Sequence, residues 1–393
     1  MQHYELYKLD KLVTRVMKLL MLTGLGSARD LASGKRGAFY NTLEEFSKYW
    51  TRIDIICPRV SRGLTSGSLE VEPLFGNVFL HVSSWPLIFH PIFFIKKALE
   101  IYKEQRFDLM TVHDFPPFYN GVAARIIWQF LRVPYLLEIF HIPGYPRAAN
   151  TKEVIYKFFF KLFIRLNASK AKMARVMNSQ ISNFLIKTGV PKEKIVYIPA
   201  IYVDLDIFKP TDSLKEYDLI FIGRLEKNKG ISLLLEAVSK LKVKSRKLKV
   251  LIVGDGPLLA SLKFKVKSEK LENDITFHGY AKDSNEIAEL INKSKILIMP
   301  SYNEGGPRVI IEALACGVPV LATSVGIVPD LLKNGLGGEI ISWEADDIAQ
   351  RVSGLLNNPD KYQKYSHSGP EIAGQFERKT AIKNYAEKLQ ALI

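Results

Sequence analysis

Two acidic residues and two glycines occupy one turn between a predicted strand and a predicted helix. Glu304 and Glu312 have seven residues between them, and Gly305 and Gly306 follow the first of the two acids. Glycine has no side chain to obstruct a ligand, so the unpaired N–H groups at the start of the helix can approach an anion closely. The carboxylates can accept hydrogen bonds from hydroxyl groups. A nucleotide-sugar carries both phosphate and hydroxyls, although an ordinary strand, loop and helix with a capping acid has the same spacing.

A second set of charged residues lies on an earlier loop of the same kind. Arg224 and Lys229 come after a predicted strand at 218–222 and before a helical pattern at 231–242. Cations at the carboxyl end of a strand can neutralise a diphosphate, but surface cations in a loop are usually solvated. The residue types alone leave both interpretations open.

Together, the two stretches resemble the retaining glycosyltransferases of the GT-B fold known as family 4, or glycosyl transferases group 1. The resemblance depends on the pair of glutamates, on the GVPV turn at 317–320 and on the motif GRLEKNKG at 223–230. It implies these roles: donor diphosphate binding for Arg224, Lys229, Gly305 and Gly306, contact with the donor sugar for Glu304, and ribose binding for Glu312.

Three polar residues end predicted strands in the first half of the chain. His113 and Asp114 follow a strand at 108–112, and His141 follows a strand at 135–140 within the sequence EIFHIPG. A lone histidine at such a position is more often structural than catalytic. The resemblance implies that His141 is a catalytic residue facing the donor sugar, and that His113 and Asp114 lie on the acceptor side.

Five further positions are weaker candidates for the binding site: Gly34, Gly37, Gly254, Gly279 and Arg308. The first two lie in a loop that closes over the donor phosphates in the resembled family, and a plain connector is the alternative. The next two lie in turns that are close to the nucleotide in the family. The arginine stands in the first turn of a helix, where a cation opposes the helix dipole. Its partner is expected to be a phosphate, Glu304 or solvent.

The expected chemistry requires no metal and no cofactor other than the UDP- or GDP-sugar substrate. Breaking the bond between the sugar and the diphosphate places negative charge on the leaving phosphate, which fixed cations and helix amides can stabilise. The sequence shows no cluster with the spacing of metal ligands. The pair Asp204 and Asp206 lies in a stretch that resembles the connector between the two domains of the family.

Alternating strands and helices predict an α/β protein with two doubly wound, Rossmann-like parallel sheets. The resemblance implies the GT-B arrangement, in which two such domains face each other across a cleft. We expect an acceptor-binding domain at residues 1–200 and a nucleotide-sugar-binding domain at 201–375. A C-terminal helix at 376–393 is expected to return to the first domain.

Composition and charge limit the class of protein and its partners. The chain has 393 residues, enough for two domains, and only two cysteines, so a disulfide framework is not expected. A polar N-terminus and the lack of an apolar run near the ~20 residues that span a bilayer predict a cytoplasmic protein. The net charge of +15 favours an anionic partner. Nucleic acid is not expected, because no stripe of exposed aromatic and basic residues is apparent.

A predicted helix at 151–168 combines an apolar face with basic residues. Its apolar positions recur with helical spacing: Ile155, Phe158, Phe159, Leu162, Phe163 and Leu166, widened by Tyr156 and Phe160. Lys157, Lys161 and Arg165 follow another face. One interpretation is a helix packed in the core with a solvated basic face. The other is a helix lying on the anionic inner surface of the cell membrane.

The resemblance therefore implies a retaining, hexosyl-type transfer from a nucleotide-sugar to a hydroxyl acceptor. A glycan or lipid-linked glycan in the synthesis of a cell-surface polysaccharide or glycolipid is the expected acceptor. A sugar-nucleotide epimerase of similar architecture is the alternative function. The residues do not determine the donor base, the sugar or the linkage.

Overall fold

Two sheets, each flanked by helices, form the framework of the protein. The structure is a computed structural model that describes residues 17–24, 31, 37–58, 73–114, 116, 118–243 and 248–393. The predicted α/β class with two parallel, doubly wound sheets is confirmed.

Seven strands form the first sheet in the described residues, in the order β3-β2-β1-β4-β5-β6-β7. The strands are β1 (Lys18–Leu22), β2 (Arg52–Cys57), β3 (Val78–Val82), β4 (Leu109–His113), β5 (Tyr135–Ile139), β6 (Met173–Val176) and β7 (Ile195–Tyr197). The pairs from β3 to β5 are all parallel. The accompanying helices are α1 (Ala38–Phe46), α2 (His90–Glu104), α3 (Tyr119–Leu131), α4 (Thr151–Ser169) and α5 (Ser179–Lys187).

In the part of the chain that the structure describes, six strands form the second sheet, in the order β10-β9-β8-β11-β12-β13, and every pair is parallel. The strands are β8 (Tyr217–Ile222), β9 (Val250–Val253), β10 (Ile275–Gly279), β11 (Ser294–Met299), β12 (Val320–Thr323) and β13 (Gly338–Ile341). The chain order reverses between β8 and β11, and ligands of open α/β sheets bind at the carboxyl ends of the strands at such a switch point.

Helices cover both faces of the second sheet. They are α6 (Ile231–Val243), α7 (Leu259–Ser268), α8 (Ser284–Asn292), α9 (Arg308–Ala315), α10 (Val328–Leu332), α11 (Ala345–Leu356) and α12 (Pro359–Gly374). Successive residues of β8 alternate between two buried apolar clusters: Leu219 and Phe221 belong to one, and Ile220 belongs to the other. This alternation is the period of two that a strand buried on both faces requires.

The chain divides into two compact units. The first consists of residues 1–138, 165–175 and 382–393, and the second consists of residues 139–164 and 176–381. The second unit therefore contains His141, which the sequence analysis placed in the N-terminal domain.

The last helix, α13 (Arg378–Gln390), contributes a buried polar cluster to the first unit. The Tyr385 hydroxyl donates to Oε1 of Glu138 at 2.7 Å, and Nη1 of Arg175 donates to the same oxygen at 2.6 Å. The Tyr385 ring also stacks on Phe46, with 5.0 Å between the ring centroids. A fully buried carboxylate is thus paired with a cation and a hydroxyl, as burial of charge requires.

Helix α4 differs from the interpretation of a core-packed apolar face. Phe158 is 66% exposed and Leu162 is 61% exposed, and Ile155, Phe159 and Leu166 are exposed as well. The buried apolar residues of this helix are Phe160, Ile164 and Ala168. The core-packing interpretation is therefore wrong for this face, because periodicity identifies an apolar face without showing whether it is covered. No described helix has the length and apolar content needed to cross a bilayer.

Candidate functional site

Two adjacent strand-to-helix loops form the centre of the candidate site. Strands β8 and β11 are paired, so the loops at 223–230 and 300–307 leave the same edge of the sheet side by side. A hydrogen bond of 2.8 Å from the Tyr302 amide to the Asn228 carbonyl joins them. Gly230 has φ +67°, and a Cβ there would lie 2.0 Å from the Pro300 carbonyl oxygen. Only glycine allows this approach.

This contact places Lys229 against Glu304. The Lys229 ammonium donates to Oε1 of Glu304, and the Ser301 hydroxyl donates to the same oxygen at 3.1 Å. Oε2 of Glu304 has no hydrogen-bond partner among the described residues. The side chains of Lys229 and Glu304 are 23% and 13% exposed, so the pair is partly open to a ligand.

Buried hydrogen bonds fix the loop that carries Glu304. The Ser301 carbonyl accepts from the Trp343 indole N–H at 2.8 Å and from the Thr323 hydroxyl at 2.5 Å. Ser301 itself is fully buried. The Glu304 carboxylate is thus presented by a loop with little freedom, as electrostatic preorganisation requires.

The segment that follows β5 packs on the same loop through Asn303. Nε2 of His141 lies 3.2 Å from Oδ1 of Asn303. Nδ2 of Asn303 donates to the Arg147 carbonyl at 3.0 Å and to Oε2 of Glu153 at 2.8 Å. Sequence reasoning did not identify Asn303, and its only signal was a polar residue directly before Glu304.

Burial lowers the pKa of His141 below its ordinary value, so the imidazole is neutral near pH 7. The negative charges of Glu304 and Glu153 and the hydrogen bond with Asn303 raise this pKa in part, and the positive charge of Lys229 lowers it further. His141 contacts Asn303, which directly precedes Glu304, and Glu304 in turn contacts Lys229. The structure therefore brings together three of the residues that the sequence analysis selected.

Gly305 and Gly306 lie between this centre and helix α9. A Cβ on Gly305 would lie 2.1 Å from the Phe140 carbonyl oxygen, so this glycine permits close packing of the segment that carries His141. A Cβ on Gly306 would lie 2.8 Å from Cγ2 of Ile201. No described residue accepts a hydrogen bond from either glycine N–H. These amides are therefore available to an anion, and backbone packing is a second reason for glycine at both positions.

Glu312 lies on α9 and is buried. Burial raises the pKa of its carboxyl group to about 7, and the positive charge of Arg308 lowers this pKa in part. The described residues provide no hydrogen-bond donor to this carboxylate. The Arg308 guanidinium carbon lies 4.9 Å from the centre of the Tyr202 ring, and no contact among the described residues joins Arg308 to Glu304. Because no described residue donates to the Glu312 carboxylate, its oxygen atoms are available to hydroxyl donors of a ligand.

Arg224 lies on the same loop as Lys229 but is not part of the ion pair. Its side chain is 70% exposed, and Nη1 donates to Oε1 of Glu226 at 3.1 Å. No described contact joins it to Lys229 or Glu304. An exposed guanidinium of this kind remains free to turn towards an anion.

His113 and Asp114 lie in the first unit, at the end of β4. Oδ1 of Asp114 accepts from the Gly121 amide at 3.1 Å, and Oδ2 accepts from Nδ2 of Asn167 at 2.7 Å. Burial raises the pKa of Asp114 to about 7 and lowers the pKa of His113 to about 4. The Asp114 carboxyl group therefore anchors the start of α3 and is about half ionised near pH 7, whereas His113 is neutral.

The weaker glycine candidates have different surroundings. Gly254 has φ +133°, and a Cβ there would lie 2.0 Å from the Gly223 carbonyl oxygen, so its turn packs against the loop of Lys229. The Gly254 amide donates to the Gly279 carbonyl at 2.7 Å, which brings these two predicted positions together. Gly37 precedes α1 and has open space around it. Gly34 lies outside the described residues. Within the described ranges no group of three or more His, Cys, Asp or Glu side chains could hold a metal ion.

Comparisons with known proteins agree on one class of enzyme. A family model described as glycosyl transferases group 1 matches residues 204–389. An uncharacterised glycosyltransferase of Methanocaldococcus jannaschii is 25% identical over 324 residues, which are 80% of this chain and 84% of that protein. The N-acetyl-alpha-D-glucosaminyl L-malate synthase of Bacillus anthracis is 29% identical over 345 residues, which are 82% of this chain and 86% of that protein.

Other comparisons are shorter or concern the fold alone. A putative colanic acid biosynthesis glycosyltransferase of Escherichia coli is 26% identical over 220 residues, and the match spans only 54% of that protein. The crystal structure of HepE from Anabaena with UDP and glucose has a TM-score of 0.73 and 19% identity. The match covers 95% of this chain and 100% of the HepE chain, so the two share the fold over nearly their whole length.

Proposed function

We propose, from the premise that this chain belongs to the glycosyl transferases group 1 family, that it is a retaining transferase of hexosyl type. Its donor is a UDP- or GDP-sugar. Its acceptor is a hydroxyl of a glycan or lipid-linked glycan, in the synthesis of a cell-surface polysaccharide or glycolipid. The observation that carries this proposal is the contact of Lys229 with Glu304 at the switch point of the second sheet, with His141 bound to the adjacent Asn303.

The leaving diphosphate is the first group that this site must stabilise. Lys229 and the free amides of Gly305 and Gly306 provide positive charge and hydrogen-bond donors at the start of α9, and Arg224 can swing from Glu226 to a phosphate. The two glycine amides are fixed and act without reorganisation at the moment of reaction, while Lys229 and Arg224 turn to the phosphate when the donor binds. We therefore assign these four residues to the donor diphosphate, with no metal ion in the reaction.

Glu304 and His141 are assigned to the transferred sugar. Oε2 of Glu304 is unbonded among the described residues, and a carboxylate oxygen accepts hydrogen bonds from sugar hydroxyls. In the reaction, the bond from the anomeric carbon to the diphosphate oxygen breaks as the acceptor oxygen bonds to the same face of that carbon. The acceptor proton passes to the leaving phosphate oxygen. No residue is nominated as a covalent nucleophile.

Glu312 is assigned to the ribose of the donor. Its carboxylate is buried and lacks a described hydrogen-bond donor, and two ribose hydroxyls would satisfy it.

The names of similar proteins support the choice of ligand class. HepE of Anabaena was crystallised with UDP and glucose, and the Bacillus anthracis relative is named for the attachment of N-acetylglucosamine to malate.

The exposed side of helix α4 supports a peripheral contact with an anionic membrane. Four apolar side chains of the second unit, Ile155, Phe158, Phe159 and Leu162, form what we call the α4 apolar face. Lys152 and Lys161 are exposed on the same helix, and the net charge of the chain is +15. Apolar burial and attraction to anionic lipid act together on such a helix. We place the enzyme in the cytoplasm, at the inner face of the cell membrane.

A thermal-shift screen tests the proposed donor class. UDP, GDP and representative sugars of each are added to the purified chain, since a ligand that binds only the folded state raises Tm. We expect one nucleotide series to raise Tm and the other to have a smaller effect. If neither does so at millimolar concentration, the proposed function is wrong. Nucleotide release that occurs only with an added acceptor separates transfer from epimerisation.

A further inference from the structure

Asn303 is a polar residue for which the assigned chemistry provides no role. The residue is 1% exposed, and both polar atoms of its side chain have hydrogen-bond partners. Those partners lie about 150 residues earlier in the chain, within the segment that follows β5. A buried amide with a complete set of long-range partners holds the groups that it contacts in one arrangement.

The partners of Asn303 determine how its amide is oriented. The Arg147 carbonyl and the Glu153 carboxylate can only accept hydrogen bonds, so both must face Nδ2. The oxygen Oδ1 then faces His141, at 3.2 Å from Nε2. An amide oxygen can only accept, so the proton of the neutral imidazole is on Nε2. Nδ1 consequently carries the lone pair, and no described residue donates to it.

We propose that Asn303 is a positioning residue that holds His141 in the Nε2–H tautomer and directs the lone pair of Nδ1 to a hydroxyl of the donor sugar. This inference rests on the proposed function, because it assigns the hydrogen-bond polarity that His141 offers to the sugar. With the other tautomer, Nδ1 would present a proton. The same sugar hydroxyl would then have to accept a hydrogen bond rather than donate one.

Glu153 connects this arrangement to the start of helix α4. Oε2 of Glu153 accepts from the Asn303 side chain and from the Ala149 amide, at 2.8 and 2.7 Å. The Glu153 amide in turn donates to Oδ1 of Asn150 at 3.1 Å, which caps the first turn of the helix. The segment from His141 to the first turn of α4 is thus held at both ends by one asparagine.

Burial, more than the charged groups around it, keeps His141 neutral while this tautomer is selected. Glu304 and Glu153 stabilise the imidazolium form, while Lys229 and burial oppose it, and the net effect on the pKa is downward. Asn303 contributes a fixed dipole rather than a charge. An aspartate at 303 would instead place a carboxylate beside Nε2 and beside Glu153, so the two variants Asn303→Ala and Asn303→Asp probe different parts of the role.

Nitrogen-15 NMR of the unliganded full chain tests the tautomer directly. The protein is labelled at its histidines, of which there are seven, and the His141 signals are assigned by their loss in His141→Gln. The wild type is expected to show a proton on Nε2 at pH 7.5. Asn303→Ala is expected to show a mixture of both tautomers, and Asn303→Asp is expected to keep the Nε2 proton and titrate at higher pH. A wild-type Nδ1–H tautomer would overturn the proposal without any variant.

Kinetics provide the second readout, with a matched control. Asn292 is also buried, donates through Nδ2 to the Lys209 and Ala288 carbonyls at 3.0 Å each, and lies away from the site. Asn303→Ala is expected to lower kcat by about 10- to 100-fold with a smaller change in KM. Asn292→Ala is expected to lower Tm alone. An Asn303→Ala variant with wild-type kcat and a wild-type pH profile would also refute the role.

The two measurements separate failure of this inference from failure of the proposed function. The NMR experiment contains no substrate, so it reports the tautomer even if the chain transfers no sugar. If Asn303→Ala does not fold, the wild-type tautomer and the titration of Asn303→Asp decide the question.

Discussion

The Lys229 ammonium donates a hydrogen bond to the Glu304 carboxylate, although 75 residues separate the two in the sequence. The sequence analysis assigned them to different parts of the donor, the diphosphate and the sugar. In the unliganded protein they neutralise each other. The donor must therefore reach a cation that already has a partner, and that partner becomes more available to sugar hydroxyls as Lys229 turns to the phosphate.

The first prediction concerns this ion pair. Lys229→Ala and Glu304→Ala are each expected to lower kcat/KM by about 10²- to 10³-fold, the usual effect of removing one preorganised group at developing charge. The double variant is expected to lose less than the product of the single losses, because the two residues act as a unit. Nucleotide release in the presence of acceptor measures all three. Full activity in either single variant would contradict our assignment.

The same two strands provide a control for the ion pair. Lys295 and Asp218 form a pair of 2.8 Å between β11 and β8, near the amino ends of the strands and away from the predicted ligand. Lys295→Ala removes a comparable, partly exposed cation. We expect it to change Tm slightly, since exposed pairs contribute little, and to leave kcat/KM within about twofold of wild type.

The second prediction concerns metal ions. The leaving diphosphate is stabilised by lysine, arginine and backbone amides in our assignment, so excess EDTA is expected to leave at least half of the activity. Added Mg²⁺ or Mn²⁺ is expected to change the rate by less than about threefold, because fixed protein dipoles already stabilise the leaving phosphate. Initial rates before and after chelation and metal repletion provide the measurement. Strict dependence on a divalent ion would show that the diphosphate is held differently.

The third prediction concerns pH and Glu312. Burial raises the pKa of this carboxyl to about 7, and ribose hydroxyls bind best to its ionised form. The ionised fraction rises from about one tenth at pH 6 to about nine tenths at pH 8, so donor affinity is expected to tighten by up to about tenfold over this range. Calorimetric titration of the stabilising UDP- or GDP-sugar at three pH values measures the effect.

As pH rises, ionisation of Glu312 is expected to strengthen donor binding but to lower the free energy of unfolding. Because the folded pKa is raised above the ordinary value of 4.5, the contribution of Glu312 to the free energy of unfolding is fully present below about pH 4.5. It is lost as pH rises through 7. Glu312→Gln is expected to flatten the pH dependence of both quantities. An unchanged affinity profile in that variant would rule out the assignment of Glu312 to the ribose.

The fold was predictable because apolar runs and turn residues report local structure directly. The strand predicted at 108–112 lies at 109–113, and the helix predicted at 231–242 lies at 231–243. Lys229 and Glu304 were identified because their motifs are local as well. Asn303 was not, because its role depends on partners more than 100 residues away that no local pattern reveals.

The environment of helix α4 was harder to predict for a related reason. Periodicity identified an amphipathic helix at 151–168, and the structure has it at 151–169. Whether Phe158 or Phe160 is covered depends on which side of the helix meets the rest of the chain. That choice is made by tertiary packing and leaves no trace in the spacing of apolar residues.

The fourth prediction concerns the backbone contact at Gly305. A methyl group there would lie 2.1 Å from the Phe140 carbonyl oxygen and 3.2 Å from Cβ of His141. Gly305→Ala is therefore expected to push the His141 segment away, with a loss of about 1–3 kcal/mol in the free energy of unfolding. We also expect a loss of activity, because His141 moves from the sugar. Chemical denaturation and kcat measure the two effects.

Gly354 is the control for that substitution. It lies inside α11 with no atom within 4 Å of an added Cβ, so Gly354→Ala is expected to be neutral or slightly stabilising. Equal stability of Gly305→Ala and the wild type would show that the chain accommodates the methyl group without moving His141.

The fifth prediction concerns the α4 apolar face. Phe158→Ser and Leu162→Ser remove two of its most exposed apolar side chains, and each such side chain contributes about 1.5–3 kcal/mol when fully buried. The double variant is expected to bind vesicles of one part phosphatidylglycerol to one part phosphatidylcholine at least tenfold more weakly than wild type. Wild-type binding is expected to weaken as salt is raised, because the lysines contribute by charge. Co-sedimentation at two salt concentrations measures both effects.

Phe264 distinguishes this face from exposed aromatic residues in general. It is 75% exposed on α7, in the same unit, so Phe264→Ser removes a comparable side chain elsewhere. We expect this variant to bind vesicles as the wild type does, because a single apolar residue outside the α4 apolar face has no second contact with the bilayer. Equal losses in the two variants would indicate non-specific adsorption. If the wild type does not bind anionic vesicles at low salt and sedimentation velocity shows a dimer, the α4 apolar face is a dimer contact and not a membrane contact.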